Sequence, residues 1–213
     1  MYVPTAFQVT DPDRLAQFMA EHSFATVITQ HDAVPFASHL PLLYERESGT
    51  HGTLVGHLAK ANPQWQDAAN QSDGIPVLAI FHGPHTYISP TWYGEPNTVP
   101  TWNYVAVHAT GRLQLIQDNQ RLLQLLTTTV NNYEASQPKP WQIEDQDPSF
   151  IEKLLGGIVG FEIAIERLEG KWKLNQNQSA QRRERVIEVL GQSGRNEDQQ
   201  VAELMGSDAT KAP

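Results

Sequence analysis

Apolar residues recur at two different periods along the first half of the chain, and each period predicts one type of element. Leu15, Phe18 and Met19 lie on one helical face after an Asp-Pro start, which predicts an amphipathic helix over residues 11–22. The stretches that follow are rich in β-branched and apolar residues between short polar turns, which predicts strands. These strands are FATVITQ (24–30), VPFASHLPLLYE (34–45), TLVGHL, IPVLAIFHGP and NYVAVHATGRLQLI (103–116). The segment NPQWQDAANQ interrupts them and is predicted to be a helix of about ten residues.

The second half continues with helices, one more long strand and a polar end. Leucines at helical spacing in DNQRLLQLLTTTVNNYE predict the largest helix, and DPSFIEKLL and SAQRRERVIEVLGQ predict shorter ones. Phe161, Ile163 and Ile165 alternate with other residues at the period of a half-exposed strand, and GKWKLNQN predicts a turn with a short strand. Residues 191–213 are polar, and we expect them to be disordered.

These elements predict a mainly β fold with flanking helices, in a single domain over residues 1–190. Sequential strands joined by turns favour antiparallel pairing, and glycines that interrupt the strands favour a barrel of six or seven strands.

Composition narrows the function. The 213 residues include no cysteine, which excludes disulfides and thiolate chemistry, and no stretch approaches the roughly 20 apolar residues of a membrane span. We therefore expect a cytoplasmic protein.

The formal net charge of −9 disfavours nucleic-acid binding, which needs a basic surface. Arg182, Arg183 and Arg185 form either a local DNA-binding patch or an ordinary solvated helix face, because Glu184 and Glu188 interrupt the run.

Residues 87–104 are unusually aromatic and contain the triplet Pro-Thr-Trp twice. Prolines hold backbone out of helices and central strands, so the stretch is predicted to be a stiff loop. Its tryptophans either close the end of a core or present flat faces to a flat ligand.

Two further segments contain candidate ligand-binding groups. In GHLAKANPQW, Lys60 stands just before the helix start at Asn62-Pro63, which is either a phosphate cradle or a surface lysine beside a capped helix. In KLNQN, the lysine and amides suit either the edge of a flavin or pyrimidine, or a polar turn. No P-loop and no dinucleotide fingerprint occurs. His82 and His85 lack accompanying carboxylates, so no metal site is predicted.

Seven blocks in order resemble the FMN-binding negative transcriptional regulator family of the PaiB type. They are MYVP-x-x-F, ASHLPLL (37–43), GHLAKANPQW, FHGPHTYISPTWY (81–93), VPTWNY (99–104), VHATGRL (107–113) and KWKLNQNQS (171–179). The resemblance runs from Met1 to about Leu190, and the departure within the blocks is Lys60, where arginine is frequent in the family.

The resemblance implies a six-stranded antiparallel split β-barrel of the pyridoxamine phosphate oxidase-like kind, a homodimer with FMN at the subunit interface. It implies that Lys60, Ser38 and Thr101 hold the phosphate and ribityl chain, and that Asn103, Gln176 and Asn177 address the ring edge. Flat side chains on a proline-stiffened stretch suit a planar ring. The full set of expected cofactor-binding residues is Ser38, His39, His57, Lys60, Asn62, Tyr87, Ser89, Trp92, Thr101, Trp102, Asn103, Lys173, Gln176 and Asn177.

Three functions fit this resemblance. The first is an FMN-binding regulator or redox sensor, whose DNA contacts would come from Arg182, Arg183 and Arg185. The second is an FMN-dependent oxidoreductase that takes electrons from reduced nicotinamide and does not contact DNA. The third is a haem-binding barrel, with an axial ligand from the set His57, His82, His85 and His108.

Overall fold

The computed structural model describes residues 1–209, which form eight strands, five α-helices and three short 3-10 helices. The strands are β1 (Gln8–Val9), β2 (Phe24–His31), β3 (Val34–Pro41), β4 (Leu43–Glu45), β5 (Thr53–Ala59), β6 (Ile75–Ile88), β7 (Thr101–Leu115) and β8 (Ile158–Lys173). The α-helices are α1 (Pro12–Glu21), α2 (Asn119–Glu134), α3 (Pro148–Leu155), α4 (Ala180–Gly191) and α5 (Asn196–Ala209). The 3-10 helices cover Thr5–Phe7, Pro63–Ala68 and Pro90–Tyr93. Among the described helices, none has both the length and the apolar character of a membrane span.

All eight strands belong to one sheet in the order β3-β2-β6-β7-β8-β5-β4, with β1 paired to β8. β2 and β3 form an antiparallel hairpin from Phe24↔Pro41 to His31↔Val34, closed by the two left-handed residues Asp32 and Ala33. The order ends at β3 and β4, so the ladder over residues 1–209 does not close into a full barrel. The sheet is thus mainly antiparallel, as predicted, but has eight strands instead of six.

The chain divides into two compact units, which are described separately below. The first unit contains residues 1–18, 81–108 and 169 onward, and the second unit contains residues 19–80 and 109–168. In the first unit, the rings of Phe18 and Trp172 meet edge to face with centroids 5.0 Å apart. The single domain predicted over residues 1–190 stays a prediction.

The second unit is held by close strand contact and by an ion-pair network. At Gly111, β7 lies so near β8 that a Cβ atom would stand 2.0 Å from the carbonyl oxygen of Ala164. On α2, Arg121 donates from Nη2 to Glu45 at 2.7 Å and from Nε to Glu162 at 2.8 Å. These bonds connect α2 to β4 and β8 and raise the pKa of the guanidinium, Glu45 most strongly.

The polar end of the chain differs from its predicted disorder, because residues 196–209 form α5 in the first unit. Val201, Ala202 and Met205 recur at helical spacing and are buried. Asp198 is also buried and accepts hydrogen bonds of 2.6 Å from the Thr86 and Ser193 hydroxyls. Burial raises the pKa of Asp198, but these hydroxyl bonds outweigh it and leave the pKa lowered. Residues 210–213 of the predicted tail lie outside the described residues.

Three predicted boundaries also shift. The expected single strand 34–45 is interrupted at Leu42, whose amide donates to the Ser23 carbonyl. β8 runs without a break to Lys173, so the first half of the segment GKWKLNQN, predicted as a turn and short strand, continues the long strand and the turn follows it. The aromatic stretch is a loop only between Gly94 and Pro100, because β6 extends to Ile88 and β7 begins at Thr101.

Candidate cofactor site

The second unit contains a hydrogen-bonded pair of polar side chains, Ser38 and Asn62, and an exposed lysine two residues before Asn62 in the chain. Asn62 donates from Nδ2 to the Ser38 hydroxyl at 2.8 Å, and its Oδ1 accepts from the amide of Gln64 at 3.0 Å. Ser38 is largely buried, whereas Lys60 is exposed and its ammonium has no partner within residues 1–209. Because the Ser38 oxygen already accepts a hydrogen bond, its own hydrogen is available to an anion.

The predicted helix after Lys60 is a six-residue 3-10 helix, Pro63–Ala68, and its first amide is satisfied by Asn62. The Gln64 amide is therefore not available to a phosphate, and the remaining candidate anion-binding groups include the side chains of Lys60 and Ser38. The backbone of Lys60 is fixed from both sides, since its amide donates to the Gly157 carbonyl at 2.8 Å and its carbonyl accepts from the Trp65 indole at 3.0 Å.

Gln64 anchors this turn to the sheet, and sequence reasoning did not identify it. The side chain is fully buried, and Nε2 donates to the Val27 carbonyl, the Thr29 hydroxyl and the Phe36 carbonyl at 3.1 to 3.3 Å. The segment from Asn62 onward is thereby tied to β2 and β3. Such second-layer bonds hold a binding group in one position before the ligand arrives.

A cleft of about 850 Å³ has Lys60 and Trp65 in its lining, together with residues of α2, α3 and β8. Lys60 is the one predicted site residue of this unit among the lining residues; Ser38, His39, His57 and Asn62 do not line the cleft. His39 is exposed and shares a 3.1 Å hydrogen bond with Thr26, and burial lowers the pKa of the half-buried His57, which favours the neutral ring.

The first unit presents an exposed aromatic face, formed by His85, Tyr87 and Trp102. Trp102 is 53% exposed and Tyr87 is 43% exposed. Their ring centroids lie 6.0 Å apart, and the His85 ring lies 6.3 Å from that of Trp102. Because all three side chains stand on strands β6 and β7, the sheet fixes their spacing. The other predicted tryptophan, Trp92, is half-buried.

Lys173 of β8 lies beside this aromatic face, and Lys171 stands two residues earlier on the same strand. Lys173 donates to the Thr101 hydroxyl and to the Trp102 carbonyl, the latter at 2.7 Å. Its pKa is lowered, first by burial and then by repulsion from Lys171. Lys171 is buried with its ammonium 5.0 Å from the centre of the Tyr104 ring, a cation–π contact.

Two of the three amides expected at a flavin ring edge, Asn103 and Gln176, already have partners inside the first unit. Asn103 is fully buried and donates from Nδ2 to the Met205 sulfur at 3.4 Å, while its Oδ1 has no partner within the described chain. Gln176 closes the KLNQN turn, because its amide bonds the Leu174 amide and the Trp172 carbonyl. Asn177 is exposed, and Ser89 caps the Pro90–Tyr93 helix.

The turn itself depends on Asn175, which sequence reasoning did not select. Asn175 takes a left-handed conformation with a φ of 62° and donates to the Tyr93 hydroxyl at 3.2 Å. Asparagine tolerates this backbone region better than most residues, which is a signal present in the sequence. The structure therefore shows the turn that was one of the two interpretations of KLNQN.

The arginines of α4 act mainly within the first unit. Arg182 forms a 2.6 Å salt bridge with Glu95 and lies over the Tyr93 ring, and Arg185 donates to the Tyr93 carbonyl. Arg183 has a buried Nε without a partner in residues 1–209. Two of the three predicted DNA-contacting residues thus hold the segment after Pro90–Tyr93 against α4.

Histidines and carboxylates do not assemble a metal site in the part of the chain that the structure describes, where no group of three or more such ligands occurs. Of the haem-ligand candidates, His57 belongs to the second unit and the other three to the first. His85 lies 3.7 Å from Glu197, and the pKa of His108 is lowered, chiefly by burial. His82 is exposed.

Known proteins share both the sequence and the fold. Residues 1–167 match the family described as "Putative FMN-binding domain". The "Protease synthase and sporulation protein PAI 2" of Bacillus subtilis is 38% identical over 205 residues, covering 96% of each chain. An uncharacterized protein of Aspergillus fumigatus is 31% identical over 240 residues, covering 91% of this chain and 92% of its own.

Two solved structures have a similar fold at low identity. The flavocytochrome Anf3 from Azotobacter vinelandii has a TM-score of 0.56 at 14% identity, covering 78% of this chain and 69% of its own. The FAD and heme binding protein from Mycobacterium smegmatis has a TM-score of 0.55 at 16% identity, covering 83% of this chain and 78% of its own. These similarities confirm the predicted split-barrel fold class.

Proposed function

The chain belongs to the PaiB-type family of FMN-binding proteins, and we propose that it binds FMN and holds the phosphate with Lys60 and Ser38. The observation that carries the proposal is the Ser38–Asn62 hydrogen bond two residues after Lys60, whose exposed ammonium has no partner within residues 1–209, all inside the family-matched region 1–167. Lys60 supplies the charge, Ser38 a hydroxyl donor, and Asn62 positions that hydroxyl.

The Lys60 ammonium and the Ser38 hydroxyl suit a phosphate because hydrogen bonds to a charged group are stronger than hydrogen bonds between neutral groups. Each contributes about 1.5–3 kcal/mol, which corresponds to more than tenfold in affinity. A bound flavin would supply the electron-transfer chemistry, and the part of these residues is to bind and orient its phosphate.

The test compares FMN with riboflavin, which lacks the phosphate. Titrations followed by flavin fluorescence should show that the wild-type protein prefers FMN by roughly tenfold or more. Lys60→Met should remove that preference and leave riboflavin binding unchanged. Lys153→Met, an exposed lysine on α3, is the matched control and should behave like the wild type. Equal binding of FMN and riboflavin by the wild-type protein would refute the phosphate assignment, and binding of neither would refute the flavin proposal.

We also propose that the protein is a homodimer and that the exposed aromatic face lies in the interface, against the flavin ring. Exposed aromatic groups of this size are typical of interaction surfaces. Trp102→Glu should shift the protein to monomer in analytical ultracentrifugation, and a purely monomeric wild type would contradict the proposal.

A regulatory role is proposed from the name of the Bacillus relative, which refers to protease synthase and sporulation. The contacts of Arg182 and Arg185 with Glu95 and Tyr93 disfavour these arginines as the route to DNA. Replacing Arg182, Arg183 and Arg185 by glutamine should lower the melting temperature and leave any affinity for promoter fragments unchanged. Loss of that affinity with an unchanged melting temperature would restore the DNA-binding interpretation.

The oxidoreductase and haem alternatives are separable by spectroscopy. Two solved structures of similar fold are a flavocytochrome and an FAD and heme binding protein, which supports keeping haem as an alternative cofactor. The freshly purified protein should show flavin absorbance, and a Soret band would indicate haem instead. Bleaching of the flavin by reduced nicotinamide without oxygen would establish that the protein accepts electrons from this donor.

A further inference from the structure

Helix α3 of the second unit is apolar on two of its sides. Ile151 and Leu155 lie one turn apart and face a groove, while Phe150 and Leu154 lie one turn apart and are 50% and 52% exposed. A surface helix of a globular protein normally has a polar outer side. The apolar outer side of α3 therefore requires an explanation beyond the fold of this chain.

The groove beside α3 has a volume of about 350 Å³. Its apolar lining comes from α2, the 136–147 connector and α3, through Leu123, Ile143, Pro148, Ile151 and Leu155. Trp141 of the connector is 42% exposed and Leu123 is 36% exposed. Contiguous exposed apolar residues of this kind mark interaction sites on otherwise polar proteins.

The charges at the groove have one sign. Glu144 and Glu152 line it, and Asp145 follows Glu144 on the connector. All three carboxylates are exposed and form no ion pair with the described basic residues, whereas the Arg121 network on the same unit is paired. Lys153, the one basic residue of α3, is not part of the lining. An apolar groove with unpaired carboxylates around it is complementary to a partner segment whose apolar side chains are flanked by basic ones.

We propose that this acidic groove, formed by α2, residues 136–147 and α3, docks a basic amphipathic helix of a partner protein. Leucine-like side chains of the partner fill the groove, and its lysines or arginines pair with Glu144 and Glu152. This is the helix-in-groove mode of recognition, in which anchors one turn apart provide affinity and rim charges provide specificity. Ser38 and Asn62 do not line this groove, but Leu123, Glu152 and Leu155 line both the groove and the Lys60 cleft, so the two sites are neighbours.

The test uses a fluorescein-labelled peptide of leucine and lysine with the leucines on one helical face, titrated with the full-length protein and followed by anisotropy. Two control peptides are a leucine and glutamate version and a scrambled leucine and lysine version. The double variant Glu144→Lys/Glu152→Lys should weaken binding about tenfold or more. The matched control Glu184→Lys/Glu188→Lys changes two exposed glutamates of α4 and gives the same net charge.

Leu123→Ser tests the apolar part of the groove and should weaken binding without changing the charge. Circular dichroism and melting temperature of each variant show that the fold is intact, and FMN titration reports any effect of Glu152 or Leu123 on the neighbouring Lys60 cleft. The proposal is overturned if both double variants weaken binding equally, because general attraction then explains it. It is also overturned if the scrambled peptide binds as tightly as the amphipathic one, or if no peptide binds.

Discussion

Gly111→Ala adds one methyl group at the point where β7 lies nearest to β8, and we expect a large loss of stability. The new Cβ would stand 2.0 Å from the carbonyl oxygen of Ala164 and 2.9 Å from its carbonyl carbon. Both obstacles are backbone atoms, so no side-chain rotation relieves the contact. Real Cβ atoms essentially never approach closer than 3.0 Å, so the two strands must separate by about 1 Å.

A separation of about 1 Å lengthens the local backbone hydrogen bonds from about 2.9 Å to about 3.9 Å, which breaks them. Losing about two such bonds costs about 2 kcal/mol, and overpacking adds about 1–3 kcal/mol. The sum of about 3–5 kcal/mol corresponds to a fall in melting temperature of about 10 °C for a chain of this size.

The assay is thermal unfolding by circular dichroism, with Gly206→Ala as the matched control. Gly206 lies within α5, and an added Cβ there has no atom within 4 Å. The same chemical change should therefore stabilise the protein by about 0.5–1 kcal/mol, since alanine loses less entropy in a helix. If Gly111→Ala melts within about 2 °C of the wild type, the close approach of the two strands is incorrect.

Three further predictions concern polar contacts. Asp198→Asn should lower the melting temperature by several degrees at neutral pH, because two charge-assisted hydrogen bonds weaken. Because the pKa of Asp198 is lowered in the folded state, this stabilisation is present above about pH 4 and disappears as pH falls through the folded-state pKa. The melting temperatures of wild type and variant should therefore converge in acid. Arg121→Gln should lower the free energy of unfolding by about 1 kcal/mol, because its two ion pairs are partly exposed. The loss should be smaller in high salt, and a loss independent of salt would contradict an ionic origin. The pKa of His31, measured by NMR, should lie above the usual histidine value because its hydrogen bond to Asp67 raises it. The pair therefore stabilises the fold below about pH 6.5 and ceases to do so as pH rises through the folded-state pKa. An unchanged His31 titration in Asp67→Asn would contradict that cause.

The strands could be predicted well because their periods are strong and local. Alternation in FATVITQ and FEIAIERLEG directly reflects one buried and one exposed face. The boundaries were less predictable at the aromatic stretch, since prolines suggested a loop that reaches Trp102. In the structure Pro90 begins a 3-10 helix and Pro100 precedes β7, so both prolines stand at element edges, where they are tolerated.

α5 was missed for a physical reason. Composition alone describes residues 191–213 as polar, but a helix needs only a narrow apolar stripe when it packs on an existing sheet. Val201, Ala202 and Met205 form such a stripe, and the Asp198 contact with Thr86 is long-range. No local window contains that partner, so only tertiary structure explains the order of this segment.

The sequence identified candidate residues for the cofactor site by their chemical type, and their roles in binding stay a prediction. Lys60 and Asn62 were selected from the block GHLAKANPQW and Ser38 from ASHLPLL, and the structure adds the bond between Ser38 and Asn62. Asn103 and Gln176 were selected because amides suit a ring edge, but burial and turn geometry engage them elsewhere. Which face of a strand an amide occupies follows from register, which a single sequence specifies weakly.

The contact between Asn103 and Met205 has a consequence for chemical labelling. Met205 is a residue of α5 whose side chain is only 2% exposed, so an oxidant reaches its sulfur only when that helix detaches. The rate of sulfoxide formation, read by mass spectrometry after brief peroxide exposure, would thus report how often the C-terminal segment opens. Exchange of its amide hydrogens should give the same opening frequency.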